Sequence, residues 1–253
     1  MKQLILITDG CSNVGMDPVA AAVQARNKDI RVNVIGMTDD GEFGRRGEEE
    51  VEAIARAGGG MSRLVKAVDL SRTVQMMTRK TVLSTVREAV SVELQEVFQT
   101  ADIEQLSPSR RAKAVGVMDK LTDSLPMRVA LLIDASASMK PKLQAVEEAV
   151  YDLMLSLQSR AGVSELAVLH FPGRSHDETA MDLPWTRQFG RAAELFKKLH
   201  MRGATPTGPA ILHTIPYFQM ASVADQEREQ TVQQAGLCNE ASDEEGMYRD
   251  YIV

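Results

Sequence analysis

The sequence predicts an α/β protein with a doubly wound, mostly parallel six-stranded sheet that is flanked by helices. Apolar runs of strand length alternate along the chain with amphipathic segments of helix length. The clearest run, residues 129–133, is continuously apolar, which is typical of a parallel strand that is buried on both faces. Strand, helix and strand therefore follow one another in the order that a parallel sheet requires.

The first half of the chain predicts three strands, each followed by a helix. The strands are predicted at residues 4–7, 31–37 and 63–68, and the helices at residues 18–27, 47–57 and 70–98. Asp17 is a favoured N-cap, and Pro18 suits the first helical position, so together they predict where the first helix begins. A run of three glycines, residues 58–60, predicts the end of the second helix.

The second half repeats this alternation and ends in a polar tail. Strands are predicted at residues 129–133, 165–171 and 179–185, and helices at residues 108–125, 142–157, 190–200 and 209–220. The last of these strands follows a Pro-Gly turn, so we expect it to pair back as an edge strand. Residues 221–253 are polar and acidic, and we expect a mobile or partner-binding segment there.

Composition excludes several classes of function. The net charge of -6 and the isoelectric point near 5.4 argue against nucleic acid as a partner, because phosphate binding needs a basic surface. Cys11 and Cys238 provide no disulfide framework, as is usual in a reducing compartment. No signal peptide is recognisable, and no segment approaches the roughly 18 apolar residues of a membrane span. We therefore expect a soluble, cytoplasmic protein without a membrane partner.

Oxygen-bearing side chains follow the predicted strands. Asp134, Ser136 and Ser138 come directly after the apolar run, where open α/β sheets place their ligands. Asp9 ends its own strand in the same way, and Thr205 lies in a loop directly before a helix. Carboxylates and hydroxyls suit Mg²⁺, whereas Zn²⁺ and Cu²⁺ prefer nitrogen and sulfur ligands. The five side chains predict one site for a hard cation.

Glycines allow the threonine loop to fold tightly. Gly203 and Gly208 flank Thr205, and we expect them to bring its hydroxyl close to a ligand. Thr207 is a second threonine in the same loop and could replace Thr205 as the ligand.

Three motifs together resemble the metal-ion-dependent adhesion site (MIDAS) of von Willebrand factor A (VWA) domains. They are Ile-Asp-Ala-Ser-Ala-Ser-Met at residues 133–139, Gly-Ala-Thr-Pro-Thr-Gly at residues 203–208 and Leu-Ile-Thr-Asp-Gly at residues 6–10. The resemblance implies that Asp134, Ser136, Ser138, Thr205 and Asp9 hold Mg²⁺, with Mn²⁺ as a possible substitute. It also implies that a protein partner supplies a Glu or Asp to the metal. The choice between Thr205 and Thr207 follows the family pattern, which favours the first.

The order of the motifs indicates a circular permutation. In VWA domains the Asp-x-Ser-x-Ser strand comes first and the Thr-Asp-Gly strand comes third, whereas here the Thr-Asp-Gly strand leads the chain. Small bacterial VWA proteins of the YabS type are similar in arrangement. We expect a single permuted domain over residues 1–220, of which residues 1–74 match the C-terminal half of the family, residues 127–220 match the N-terminal half, and residues 75–126 are an inserted helical connection.

We expect a binding protein, an adaptor or regulatory component, and not an enzyme. Hydrolytic metal catalysis usually needs a general base beside the bound water, and the three motifs contain no His or Lys. One alternative is a Mg²⁺-dependent phosphatase of the haloacid-dehalogenase type, but its motif needs a second carboxylate two residues after the first. Ser136 and Cys11 occupy those positions here. Another alternative is a VWA scaffold that binds partners without metal.

Overall fold

A six-stranded sheet lies at the centre of the described part of the chain. The computed structural model describes residues 1–38, 44–98, 107–173, 177–188 and 203–220. The strands are β1 (Lys2–Thr8), β2 (Ile30–Met37), β3 (Gly59–Val65), β4 (Met127–Asp134), β5 (Ser164–Phe171) and β6 (Ala180–Thr186). The helices are α1 (Pro18–Arg26), α2 (Gly44–Ala57), α3 (Leu70–Phe98), α4 (Pro108–Ser124), α5 (Leu143–Gln158) and α6 (Thr207–Thr214). The α/β class and the flanking helices are confirmed.

The strand order places β1 and β4 side by side at the middle of the sheet. The order is β3-β2-β1-β4-β5-β6, and every neighbouring pair is parallel except β5 and β6. The chain runs outward from β1 to β3, returns to β4, and then runs outward the other way. Open α/β sheets bind ligands beyond the carboxyl ends of their strands at such a switch point. Ile7 pairs with Ile133, so β1 and β4 end level with each other.

Each face of the sheet packs against its own set of helices. On one face, apolar residues of α1, α2 and α6 pack on Leu4, Leu6 and Leu132. On the other face, residues of α3, α4 and α5 pack on Ile5, Ile7 and Ile133. Alternate residues of β1 and β4 thus enter different cores, as the twofold period of a strand requires. This explains why their sequences are continuously apolar.

Two elements differ from the sequence prediction by four residues or more at one end. Strand β3 begins at Gly59 rather than at residue 63, because glycines let it approach β2 closely: a Cβ at Gly60 would lie 2.1 Å from the carbonyl oxygen of Val32. The last predicted helix ends at Thr214 and continues as a 3₁₀ helix, Ile215–Gln219. Pro216 has no N–H to donate, which ends the α-helical pattern there.

Residues Met1–Phe218 form one compact unit, and a second unit begins at Gln219. The helix predicted at residues 190–200 and the tail at residues 221–253 lie outside the described residues. Within the described ranges, no helix combines the length and the apolar character that a membrane span requires.

Candidate metal centre

Asp134 is a fully buried carboxylate at the end of β4. Its Oδ2 accepts a hydrogen bond from the hydroxyl of Thr8 at 2.7 Å, and its Oδ1 accepts one from the backbone N–H of Ser136 at 2.8 Å. Burial raises the pKa of Asp134 to about 6, with a smaller contribution from the charge of Asp9, although the hydrogen bonds from Thr8 and Ser136 lower it. The two hydrogen bonds thus orient the Asp134 carboxylate in a buried position, where a negative charge without a nearby positive charge is unfavourable.

Asp9 and the two serines form a second cluster beside it. The Ser138 hydroxyl donates to Asp9 Oδ1 at 2.8 Å, and the Ser136 hydroxyl lies 3.5 Å from the same oxygen. The two serine hydroxyls are 3.0 Å apart. Asp9 follows β1, and the serines follow β4, so the pairing of these strands brings the side chains together. Four of the five predicted ligand residues, Asp9, Asp134, Ser136 and Ser138, are therefore joined by contacts at the switch point.

The backbone of Thr205 is attached to the loop that follows Asp9. The Thr205 N–H donates to Asn13 Oδ1 at 2.8 Å, and the Asn13 N–H donates to the carbonyl of Thr205 at 3.3 Å. Ser12 donates its hydroxyl to the same carbonyl at 3.4 Å, and its N–H donates to Glu50 Oε1 on α2 at 2.7 Å. The threonine loop is thus positioned from the β1 side of the site.

Thr207 has a different environment. Among the described residues, its buried hydroxyl is without a hydrogen-bond partner. Buried hydroxyl groups are usually hydrogen-bonded, so an unpaired one indicates that a ligand or water belongs nearby. Thr207 therefore stays open as an alternative to Thr205.

Lys142 is a component of the site that sequence reasoning missed. Its Nζ lies 2.7 Å from Asp9 Oδ2, and the side chains of Lys142 and Asp9 are only 7% and 1% exposed. Lys142 ends the 3₁₀ helix Ala137–Lys142, which directly follows Ser136. The sequence carries no local signal for this contact, because in a 3₁₀ helix residues three apart share a face, whereas Lys142 lies four residues after Ser138.

The donor set is made of oxygens. In the described part of the chain, no three His, Cys, Asp or Glu side chains lie together as a metal-binding group. Zn²⁺ sites normally use such groups, whereas two carboxylates with several hydroxyls suit Mg²⁺ or Mn²⁺. Cys11 lies near this edge of the sheet, but burial and the charge of Glu50 raise the pKa of its thiol, which disfavours the reactive thiolate.

Comparison with known proteins identifies two extensive similarities. The chain is 42% identical over 234 residues to "Uncharacterized protein YabS" of Bacillus subtilis (strain 168), covering 90% of this chain and 95% of that protein. It is also similar to the crystal structure of an uncharacterized protein from Alicyclobacillus acidocaldarius subsp. acidocaldarius DSM 446, with a TM-score of 0.81 and 42% identity over 87% of this chain and 94% of that one. No family model matches the chain.

Proposed function

This chain belongs to the YabS family, and we propose that it is a metal-dependent protein-binding module with a permuted VWA fold. In this proposal Asp134, Ser136, Ser138, Thr205 and Asp9 hold Mg²⁺, which Mn²⁺ can replace. A Glu or Asp of a protein partner completes the coordination of the ion. The protein is then an adaptor or regulatory component of the cytoplasm, and not an enzyme.

The convergence of Asp9, Ser136 and Ser138 carries this proposal. Asp9 lies more than 120 positions before Ser136 and Ser138 in the sequence. Their three side-chain oxygens nevertheless lie within hydrogen-bonding distance of one another. They lie at the switch point of the sheet, which is where ligands bind in open α/β folds. A solvated turn after a strand would not require its hydroxyls to meet a carboxylate from the neighbouring strand.

The residues present fit a hard divalent cation. Asp134 is buried with both oxygens oriented by hydrogen bonds, and the charge of a nearby cation would favour its ionised form. Thr207 contributes a buried hydroxyl without a partner among the described residues. Hydroxyl ligands bring no negative charge, so a Mg²⁺ ion held mainly by them would remain strongly attractive to an incoming carboxylate.

The sheet topology permits a circular permutation. If the strands are numbered from β4 instead of β1, the sheet order is the same when it is read from the other edge, and the switch point stays between the same two strands. Arg128 also connects the two ends of the core: its N–H donates to the carbonyl of Met1 at 2.9 Å, and its guanidinium donates to the carbonyl of Phe218 at 3.2 Å. A circular permutation joins the original ends of a domain and opens it elsewhere, so it requires that the two ends of the core lie close together.

The phosphatase alternative has weaker support. If Asp134 were the nucleophile, a second carboxylate two residues later would have to act as its acid and base. The neighbouring Ser136 supplies a hydroxyl where that chemistry needs an acid and base. Binding without metal is the remaining alternative, and the experiment below distinguishes it.

Calorimetric titration with Mn²⁺ tests the proposal. We expect the wild-type protein to bind one ion, and we expect Asp134→Ala and the double variant Ser136→Ala/Ser138→Ala to lose binding while circular dichroism shows a folded protein. Ser159→Ala is the matched control, because this exposed serine follows α5 and its hydroxyl donates to the nearby carbonyl of Ser156 at 2.9 Å. Acetate then serves as a probe for the partner carboxylate: it should displace water from bound Mn²⁺, which water-proton relaxation measures. Measurable Mn²⁺ binding that is equal in the wild type and the double serine variant would overturn the proposal.

A further inference from the structure

The contact between Lys142 and Asp9 places an ammonium group inside the candidate metal centre. Lys142 Nζ is 2.7 Å from Asp9 Oδ2, while Asp9 Oδ1 accepts from Ser138. Lysine side chains are rarely buried unless they are paired, because removing the charge from water is unfavourable. Lys142 is buried to this degree and contacts one oxygen of Asp9, a candidate metal ligand. We infer that its charge contributes to the electrostatics of the site.

The charges of the site depend on this residue. The carboxylates of Asp9 and Asp134 together with the ammonium of Lys142 leave one net negative charge. A divalent cation reverses this to one net positive charge, and a single carboxylate from outside then neutralises the site. Without Lys142, the two carboxylates would already neutralise the cation. The electrostatic attraction between the metal-loaded site and an incoming carboxylate would then be weaker.

We propose that Lys142 determines both the metal affinity of the site and its preference for an anionic ligand. The ammonium competes with the metal for Asp9 and repels it, so metal binding is weaker than the oxygen ligands alone would make it. The same positive charge keeps the metal-loaded site attractive to a carboxylate, so that metal and partner bind more strongly together than separately. This inference rests on the proposed function, since it concerns the regulation of the same site.

Variants of Lys142 separate charge from shape. Lys142→Gln removes the charge but keeps a hydrogen-bond donor, and Lys142→Met removes both while keeping most of the volume. Lys142→Arg keeps the charge. Lys140→Met is the control, because Lys140 lies on the same 3₁₀ helix and is exposed.

The measurement is Mn²⁺ affinity by calorimetry, followed by acetate binding to the Mn²⁺-loaded protein by water-proton relaxation. We expect both uncharged variants to bind Mn²⁺ at least about tenfold more tightly than the wild type and to bind acetate several-fold more weakly, because a unit charge near the ion changes the interaction by at least about 1.4 kcal/mol. Lys142→Arg and Lys140→Met should stay close to the wild type in both measurements.

The failure of this inference differs from failure of the proposed function. If the wild type binds Mn²⁺ and folded Lys142→Gln and Lys142→Met bind it equally or less tightly, the role of Lys142 is overturned and the metal site stands. If only the uncharged variants bind Mn²⁺, the inference is supported, because the ammonium then prevents metal binding in the absence of a partner. If no variant binds Mn²⁺, both proposals are overturned.

Discussion

The hydroxyl of Thr8 donates a hydrogen bond to Oδ2 of Asp134 at 2.7 Å, across the two central strands of the sheet. Thr8 is the last residue of β1, and Asp134 is the last residue of β4. The same hydroxyl lies 3.2 Å from the carbonyl oxygen of Gly10 and 3.3 Å from its N–H. The turn that carries Asp9 is therefore connected to Asp134 through one side chain.

Replacing Thr8 by Val should destabilise the protein and weaken its metal site. Valine keeps the shape but leaves a buried carboxylate without one of its hydrogen bonds, which costs on the order of 2 kcal/mol for a charged acceptor. Thr8→Ser retains the hydroxyl and is the matched control. Urea denaturation at neutral pH in EDTA measures the difference, and calorimetry with Mn²⁺ should show a weaker affinity for Thr8→Val alone. Equal stability of the two variants would mean that this hydrogen bond does not stabilise the carboxylate.

The buried charge of Asp134 predicts a pH-dependent effect of Asp134→Asn. Burial raises the pKa of Asp134 to about 6 in the folded protein, above the ordinary value of 3.8 for an aspartate. The folded state therefore holds this proton more tightly than the unfolded state, and this group's contribution to stability falls as the pH rises from about 4 to beyond 6. Asparagine has no such charge, but its amide retains hydrogen-bonding groups for Thr8 and Ser136.

In EDTA, Asp134→Asn should therefore gain stability relative to the wild type as the pH rises. The difference should be small near about pH 4 and reach on the order of 3 kcal/mol near about pH 8. Thermal and urea unfolding across this range measure it. Under the proposed function, Mg²⁺ should restore the wild type and leave the variant unchanged. A stability difference that does not change with pH would mean that Asp134 does not titrate in this range.

The sequence predicted most of the sheet because buried parallel strands are continuously apolar. The prediction begins β4 two residues late, because the polar Arg128 interrupts its apolar run, and it places β5 within one residue. The meeting of Asp9 with the serines followed from strand topology, because the ends of neighbouring parallel strands share one edge of the sheet. The start of β3 was missed because the glycines were interpreted only as a helix end.

Contacts that depend on loops were not predictable in the same way. Lys142 is an ordinary polar residue in the sequence, and its burial results from the tertiary position of Asp9, which follows a different strand, β1. Asn13 holds Thr205 through a contact between residues that are 192 positions apart in the sequence. Neither pairing has a local pattern, because hydrogen bonds between loops depend on how the surrounding helices pack.

Asn13 should position the threonine loop for metal binding. Asn13→Ala removes the acceptor of the Thr205 N–H and should lower Mn²⁺ affinity about three- to tenfold, while the loss of one hydrogen bond lowers stability by about 1 kcal/mol. Ser12→Ala is the control, because it removes only a longer contact to the carbonyl of Thr205, at 3.4 Å. Calorimetry and urea denaturation measure the two effects. If both variants bind Mn²⁺ as the wild type does, Thr205 is not held by Asn13 in the metal-bound state.

Gly208 should be far less replaceable than Gly203, although both flank the same loop. A Cβ at Gly208 would lie 2.0 Å from the carbonyl oxygen of Met16, whereas a Cβ at Gly203 would meet no atom of the described residues within 4 Å. Gly208 is the second residue of α6 and lies against the chain that enters α1, so backbone would have to move to admit a methyl group. Gly208→Ala should therefore destabilise the protein by about 1–3 kcal/mol.

The same pair of glycine variants tests whether loop position controls the metal site. Because Gly208 is three residues after Thr205, Gly208→Ala should also weaken Mn²⁺ binding, while Gly203→Ala should leave both affinity and stability within about 1 kcal/mol of the wild type. Urea denaturation and calorimetry on both variants provide the comparison. A Gly208→Ala variant that is less stable but binds Mn²⁺ normally would show that α6 packs independently of the site. That result would favour a metal site formed by the β1 and β4 loops alone.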